Sequence, residues 1–173
     1  MKIFVKSRHW MIKNLEKNPD FVQGKWIISI FDKDSFSPFL DRFNILKLEF
    51  DDVTEADKEE GLLHFNENHA KKIHDFINEI PTDSKKPFYI HCAAGVSRSG
   101  AVGYLMNEWF NKFKTVNRID NEAFQMNNSH IQPNPEVLRV LKKELFGMPF
   151  IGIPCNDFTY DQNGEKQDHI TMI

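Results

Sequence analysis

Two cysteines in 173 residues, Cys92 and Cys155, are too few for a disulfide framework, and they favour a reducing, cytoplasmic setting. Positive charge is not in excess either. The formal net charge is -3, so no nucleic-acid partner is expected. No run approaches the ~18 consecutive apolar residues of a membrane-spanning helix, so no membrane partner is expected. The opening MKIFVKSRHWMIK has no long apolar stretch and no small-residue cleavage site, and it is not read as a leader. There is no Cys-x-x-Cys pair and no Gly-x-x-x-x-Gly-Lys-Ser/Thr motif, which removes the usual zinc modules and nucleotide-binding P-loops. His64, His69 and His74 are spaced by five, which puts them on different faces of a helix. They are read as surface or packing residues, and no metal or other cofactor is expected.

What remains is an ordinary globular composition. Hydrophobic residues make up 40%, and 16 phenylalanines can fill a single core. Lys2 to Lys6 predicts a first strand, and Ser7 caps a helix running to about Asn18. Trp26 to Phe31 is a short β-branched and aromatic run, as expected of a buried strand, and Ile45 to Phe50 predicts another. Asp32 to Asp41 and Asp51 to Gly61 read as loops. Asn66 caps a helix whose apolar face is Ala70, Ile73, Ile77 and Ile80. Pro87 to His91 is the next strand. A helix from about Arg98 is apolar nearly all round, which marks it as a core helix. Asn134-Pro135 opens a last helix that Gly147 closes. Alternating strands and helices imply an α/β domain with a central, mainly parallel sheet flanked by helices. The expected division is a domain over residues 1–150 and a polar C-terminal tail, 151–173, of no assigned role.

The informative segment is His91-Cys92-Ala93-Ala94-Gly95-Val96-Ser97-Arg98-Ser99-Gly100, between a buried strand and a buried helix. Consecutive backbone N–H groups in a tight loop form an anion nest, here Ala93, Ala94, Gly95, Val96, Ser97 and Arg98. The helix that follows adds its positive end. Gly95 permits a backbone conformation closed to other residues. Arg98 offers a planar fork matched to two phosphate oxygens. Cys92, at the mouth of this nest, is placed as a nucleophile, which acts as the thiolate.

His-Cys, five residues, Arg, Ser/Thr resembles the signature of the protein tyrosine phosphatase superfamily, and HCAAGVSRS is similar to its dual-specificity branch. The resemblance extends to Phe50-Asp51-Asp52-Val53 and to Ile131-Gln132-Pro133-Asn134, so that Met1 to Phe146 follows the family's organisation. It implies a metal-independent phosphomonoesterase with a cysteinyl-phosphate intermediate, acting on phosphotyrosine in proteins, with phosphoserine and phosphothreonine also accepted. It further implies that Ser99 assists the thiolate, that His91 tunes Cys92 from behind, and that Asn134, otherwise a helix cap, supports the loop. The Trp-Pro-Asp acid loop of tyrosine-only relatives is absent. The resemblance favours Asp52 as general acid, with Asp51 and Asp57 as alternatives.

Two other readings are open at this level. One is a phosphatase of phosphoinositides or RNA 5′ phosphates. A phosphoinositide is disfavoured because Ala93, Ala94, Val96 and Ser97 add no positive charge to the loop, and RNA because the net charge is -3. The other is an inactive phosphate-binding module, disfavoured because Cys92, Arg98, Ser99 and candidate aspartates are all present. Cys155 is read as an ordinary thiol.

Overall fold

The computed structural model describes residues 1–54, 57, 60–81, 83–113 and 119–147, together with the backbone of 159–160 and 166–167. Its centre is a four-stranded sheet made of β1 (Ile3–Ser7), β2 (Trp26–Phe31), β3 (Ile45–Glu49) and β4 (Phe88–Cys92). The order is β1-β4-β2-β3, and all three pairings are parallel. The α/β expectation therefore holds. Ser7 pairs with Cys92, and Ser29 with His91.

Parallel pairing brings the C-terminal ends of all four strands to one edge of the sheet. In such sheets that edge is where ligands bind. Four chain segments leave it together: Arg8 after β1, Asp32 after β2, Phe50 to Asp52 after β3, and the Cys92–Arg98 loop after β4.

Side chains alternate between the two faces, as strand geometry requires. Trp26, Ile28 and Ile30 of β2, with Phe88, Ile90 and Cys92 of β4, enter the main core. That core is covered by α2 (Glu67–Asn78), α3 (Arg98–Phe113), α4 (Asn121–Asn127) and α5 (Pro135–Phe146). Ile27 and Tyr89 face the other way, where α1 (Arg8–Lys17) lays Met11 over Val22, Phe39 and Ile45. Neither face is left to solvent, as expected of a parallel sheet.

The helix ends follow the sequence closely. Ser7 Oγ accepts from Trp10 N, Asn66 Oδ1 from Asn68 N and His69 N, and Asn134 Oδ1 from Glu136 N and Val137 N. Gly147 ends α5 at φ 65°, in the left-handed region where glycine is unstrained. Helix α4 has no counterpart in the sequence expectations. It is short, and Phe124 is its one buried residue, so it shows no hydrophobic period. Its C-cap, Asn128, secures the first strand. The side-chain Oδ1 accepts from Val5 N at 2.7 Å, and Nδ2 donates to Ile3 O at 3.1 Å. Those bonds occupy the free edge of β1, which would otherwise offer unpaired backbone groups.

The stretch read as a tail contains a short antiparallel pairing, β5 (Thr159–Tyr160) with β6 (Lys166–Gln167). Cys155 lies outside the described residues. Among the described residues no helix is long and apolar enough to cross a membrane.

Candidate active site

The turn from β4 into α3 is built on one glycine. Gly95 has φ 78°, and a Cβ there would lie 2.4 Å from the Lys6 carbonyl carbon and 2.5 Å from Ser7 N. Any side chain would drive the loop off the end of β1. The loop's carbonyls are held outward. Ala93 O accepts from Arg8 N, Val96 O from Gln132 N, and Ser97 O from Asn134 N and Ala101 N. Within a planar peptide the N–H points opposite to the C=O. The amides of Ala94, Ser97 and Arg98 are therefore turned inward, which is the geometry of an anion nest.

Cys92 closes the bottom of the nest and is buried. Its Sγ accepts from Gly95 N at 3.3 Å and lies 3.1 Å from Ser99 Oγ. Both contacts suit a sulfur that carries negative charge. Ala93 and Ala94 are exposed at the mouth.

Arg98 begins α3 and is only 2% exposed. Its Nη1 donates to Phe50 O at 2.6 Å and pairs with Asp32 Oδ1 at 2.9 Å. Its Nε is buried and has no hydrogen-bond partner among the described residues; the Asp52 Oδ2 carboxylate oxygen stands off at 3.8 Å. A buried donor left unmatched is costly, and more so on a charged group. One edge of the guanidinium is thus fixed by protein, and a second donor is left for an anion. Sequence reasoning missed Asp32, which simply opens a loop there. The clue was its place directly after a buried parallel strand. What was missing was that β2 lies beside β4.

The three candidate acids separate cleanly. Asp52 Oδ1 accepts from Ser97 Oγ at 2.7 Å and from Asn134 Nδ2 at 2.9 Å, while Oδ2 faces Arg98. Asp51 points away, accepting from Lys33 N and Leu63 N. Asp57 is turned to Thr54, accepting from its N and its Oγ1, and these bonds lower its carboxyl. Asn134 joins the parts. It caps α5, donates to Asp52 and Val53 O, and takes the Ser97 carbonyl on its own N–H.

His91 is fully buried behind the nest, edge-on to Phe39 at 5.5 Å. Burial pushes it down to about 4, and the charges of Arg8 and Arg98 act in the same direction. The nearby Cys92 backbone opposes the shift only in part, since neither ring nitrogen makes a well-formed hydrogen bond among the described residues. An unfolded chain takes this proton near 6.5. Stability that is full above that pH is therefore lost as pH falls towards 4, by about 3 kcal/mol at most. Urea unfolding at pH 7 and pH 4.5 should show a smaller acid loss in His91→Gln than in the parent chain. Equal losses would mean that His91 takes up its proton in the folded state as readily as in the unfolded one.

His69 is lowered too, chiefly by burial, and as a neutral ring its Nδ1 accepts from Asn66 N in the α2 cap. His74 Nδ1 lies 3.0 Å from Glu144 Oε1. Among the described residues no three His, Cys, Asp or Glu side chains cluster as a metal site. Two surface clefts of about 360 and 310 Å³ share no residue with the Cys92 loop. A seat made of backbone amides is shallow and need not form a deep cavity.

No family model matches the chain, and no curated protein matches it. Among solved structures it is similar to PTPMT1 in complex with PI(5)P, at 20% identity over 76% of this chain and 83% of that one, with a TM-score of 0.44. It is also similar to OH1 from the Orf virus, a tyrosine phosphatase that displays distinct structural features and triple substrate specificity. There the identity is 16% over 85% of this chain and 84% of that one, with a TM-score of 0.46. The chemistry of the site rests on its own residues.

Proposed function

We propose that the chain is a metal-independent phosphomonoesterase that hydrolyses phosphotyrosine in proteins through a cysteinyl-phosphate intermediate. One observation carries this reading: a buried sulfur within 3.3 Å of an inward N–H and 3.1 Å of a hydroxyl, beside a buried guanidinium with an unpartnered Nε. A phosphoryl group supplies what those groups lack. Its equatorial oxygens take the inward amides of Ala94, Ser97 and Arg98 within the Ala93–Arg98 loop, and Arg98 Nε, which leaves phosphorus in line with the sulfur.

The Cys92 thiolate attacks phosphorus. The S–P bond forms as the ester P–O bond breaks, and the leaving oxygen takes a proton from Asp52. With Oδ1 held by Ser97 and Asn134, that proton sits on Oδ2. A water then gives a proton back to Asp52 and bonds to phosphorus. The S–P bond breaks, inorganic phosphate leaves, and Ser99 Oγ–H steadies the sulfur as it departs. A nucleophilic thiol of this kind suits a reducing compartment such as the cytoplasm.

The test is turnover of a phosphotyrosine peptide, a phosphoinositide and an RNA 5′ end, each in excess EDTA. The peptide should be hydrolysed fastest and without loss on chelation, because thiolate and guanidinium fill the roles of a metal. Activity that vanishes with EDTA and returns with a divalent ion defeats the mechanism. The acid has its own test. Tyrosine leaves with a pKa of about 10 and needs a proton; an activated aryl group does not. Asp52→Asn should slow phosphotyrosine hydrolysis on the order of 10²-fold, and an activated aryl phosphate far less. The same selective loss in Asp51→Asn or Asp57→Asn, with Asp52→Asn spared, would move the role.

A further inference from the structure

We propose that Phe36, backed by Arg8, is the wall against which the aromatic ring of a phosphorylated tyrosine lies when its phosphate enters the Cys92 loop. The proposal rests on the phosphatase reading and names what selects its substrate. The segment from Asp32 to Phe39 is pinned around the site at several points. Asp32 binds Arg98, Ser37 Oγ lies 2.8 Å from Ser29 Oγ, and Phe39 is buried against His91. Between these anchors Phe36 is 69% exposed.

Isolated exposed phenylalanines are common on protein surfaces and need no explanation. This one is held. The Arg8 guanidinium carbon lies 4.7 Å from its ring centroid, so a cation fixes one face while the rest of the ring stays open. Arg8 in turn donates its backbone N–H to Ala93 O, at the first turn of the nest. Arg8 thus ties Phe36 to the loop, with its guanidinium on the ring and its backbone N–H on Ala93 O. Ala93 and Ala94 are exposed, and their methyl groups reach only a short way above the loop.

An aryl phosphate carries its ring directly beyond the ester oxygen, level with such a rim. A serine phosphate presents a single methylene there. Phe36 therefore favours phosphotyrosine through ring contact that phosphate alone cannot make.

The experiment compares the parent chain with Phe36→Ala, Phe36→Leu and Phe36→Tyr. It measures KM and kcat on a phosphotyrosine peptide and the Ki of inorganic phosphate. Phe36→Ala should raise KM about tenfold, which corresponds to about 1.4 kcal/mol, and leave the phosphate Ki within about twofold. Phe36→Tyr should restore KM, and Phe36→Leu should recover only part of it. An unchanged KM in Phe36→Ala, or a phosphate Ki that rises in step with it, overturns the proposal. A parent chain that turns over no aryl phosphate defeats the phosphatase reading and this proposal together. A chain that turns it over with Phe36→Ala unaffected defeats this proposal alone.

Discussion

Cys92→Ser should lose turnover on the order of 10⁵-fold or more while still binding a phosphate ester. The substitution exchanges sulfur for oxygen and changes little else. A serine hydroxyl is scarcely ionised near neutral pH and is a weak nucleophile without a base beside it. Among the described residues the polar contacts of the sulfur are Gly95 N and Ser99 Oγ, and neither is a base that would activate a serine hydroxyl. The group nearest the sulfur is Ser99 Oγ, and His91 lies behind the loop with its imidazole pushed down to about 4. The binding groups are untouched, because the inward amides belong to the backbone and Arg98 is anchored by Phe50 O and Asp32 rather than by Cys92. The measurements are steady-state turnover of an aryl phosphate and calorimetric titration with a phosphotyrosine peptide. Near-parental turnover by the serine variant would exclude a covalent cysteine mechanism. Loss of both turnover and binding would mean that the sulfur holds the loop together.

Arg98→Lys is expected to lower kcat/KM on the order of 10³-fold. Arg98 meets two partners on Nη1 and offers Nε to the phosphate, which a planar fork can do in one orientation. An ammonium is a point charge on a flexible stem. It can satisfy Asp32 or reach the phosphate, but it cannot span both with fixed geometry. Because Arg98 is only 2% exposed, the change also leaves Phe50 O or Asp32 short of a donor, so some stability is lost. Thermal unfolding measured beside the kinetics separates the two effects. A stable variant with mild kinetic loss would reduce Arg98 to a general positive charge. Asp32→Asn offers a graded control. It keeps a side chain of the same shape against Nη1 but removes the charge, so it should cost less than Arg98→Lys and leave the fold intact.

Much of this was legible in the sequence because it is local. A strand, a five-residue turn with glycine at its tight point and an apolar helix lie next to one another in the chain. Their joint geometry follows from short-range rules: which backbone angles are open, where amides point and where a helix begins. Cap residues Ser7, Asn66 and Asn134 and the stop at Gly147 were readable for the same reason. Helix α4 was not, since one buried phenylalanine gives no period to detect.

The choice among aspartates shows where sequence reasoning ended. Asp51 and Asp52 stand side by side at the strand end, and only the resemblance favoured Asp52. The decision lies in long-range partners. Asp51 is taken by the backbone of Lys33 and Leu63, and Asp52 by Ser97 and Asn134. Asp32, Arg8 and Phe36 were beyond reach for a related reason. They stand far from Cys92 in the chain and meet its loop only because the sheet order is β1-β4-β2-β3. The sequence by itself determined that Cys92, Arg98 and the glycine-bearing turn between them share one strand–turn–helix segment. The neighbours that anchor Arg98 and surround the turn were decided by strand order, since only the packed sheet brings the ends of β1 and β2 to either side of β4.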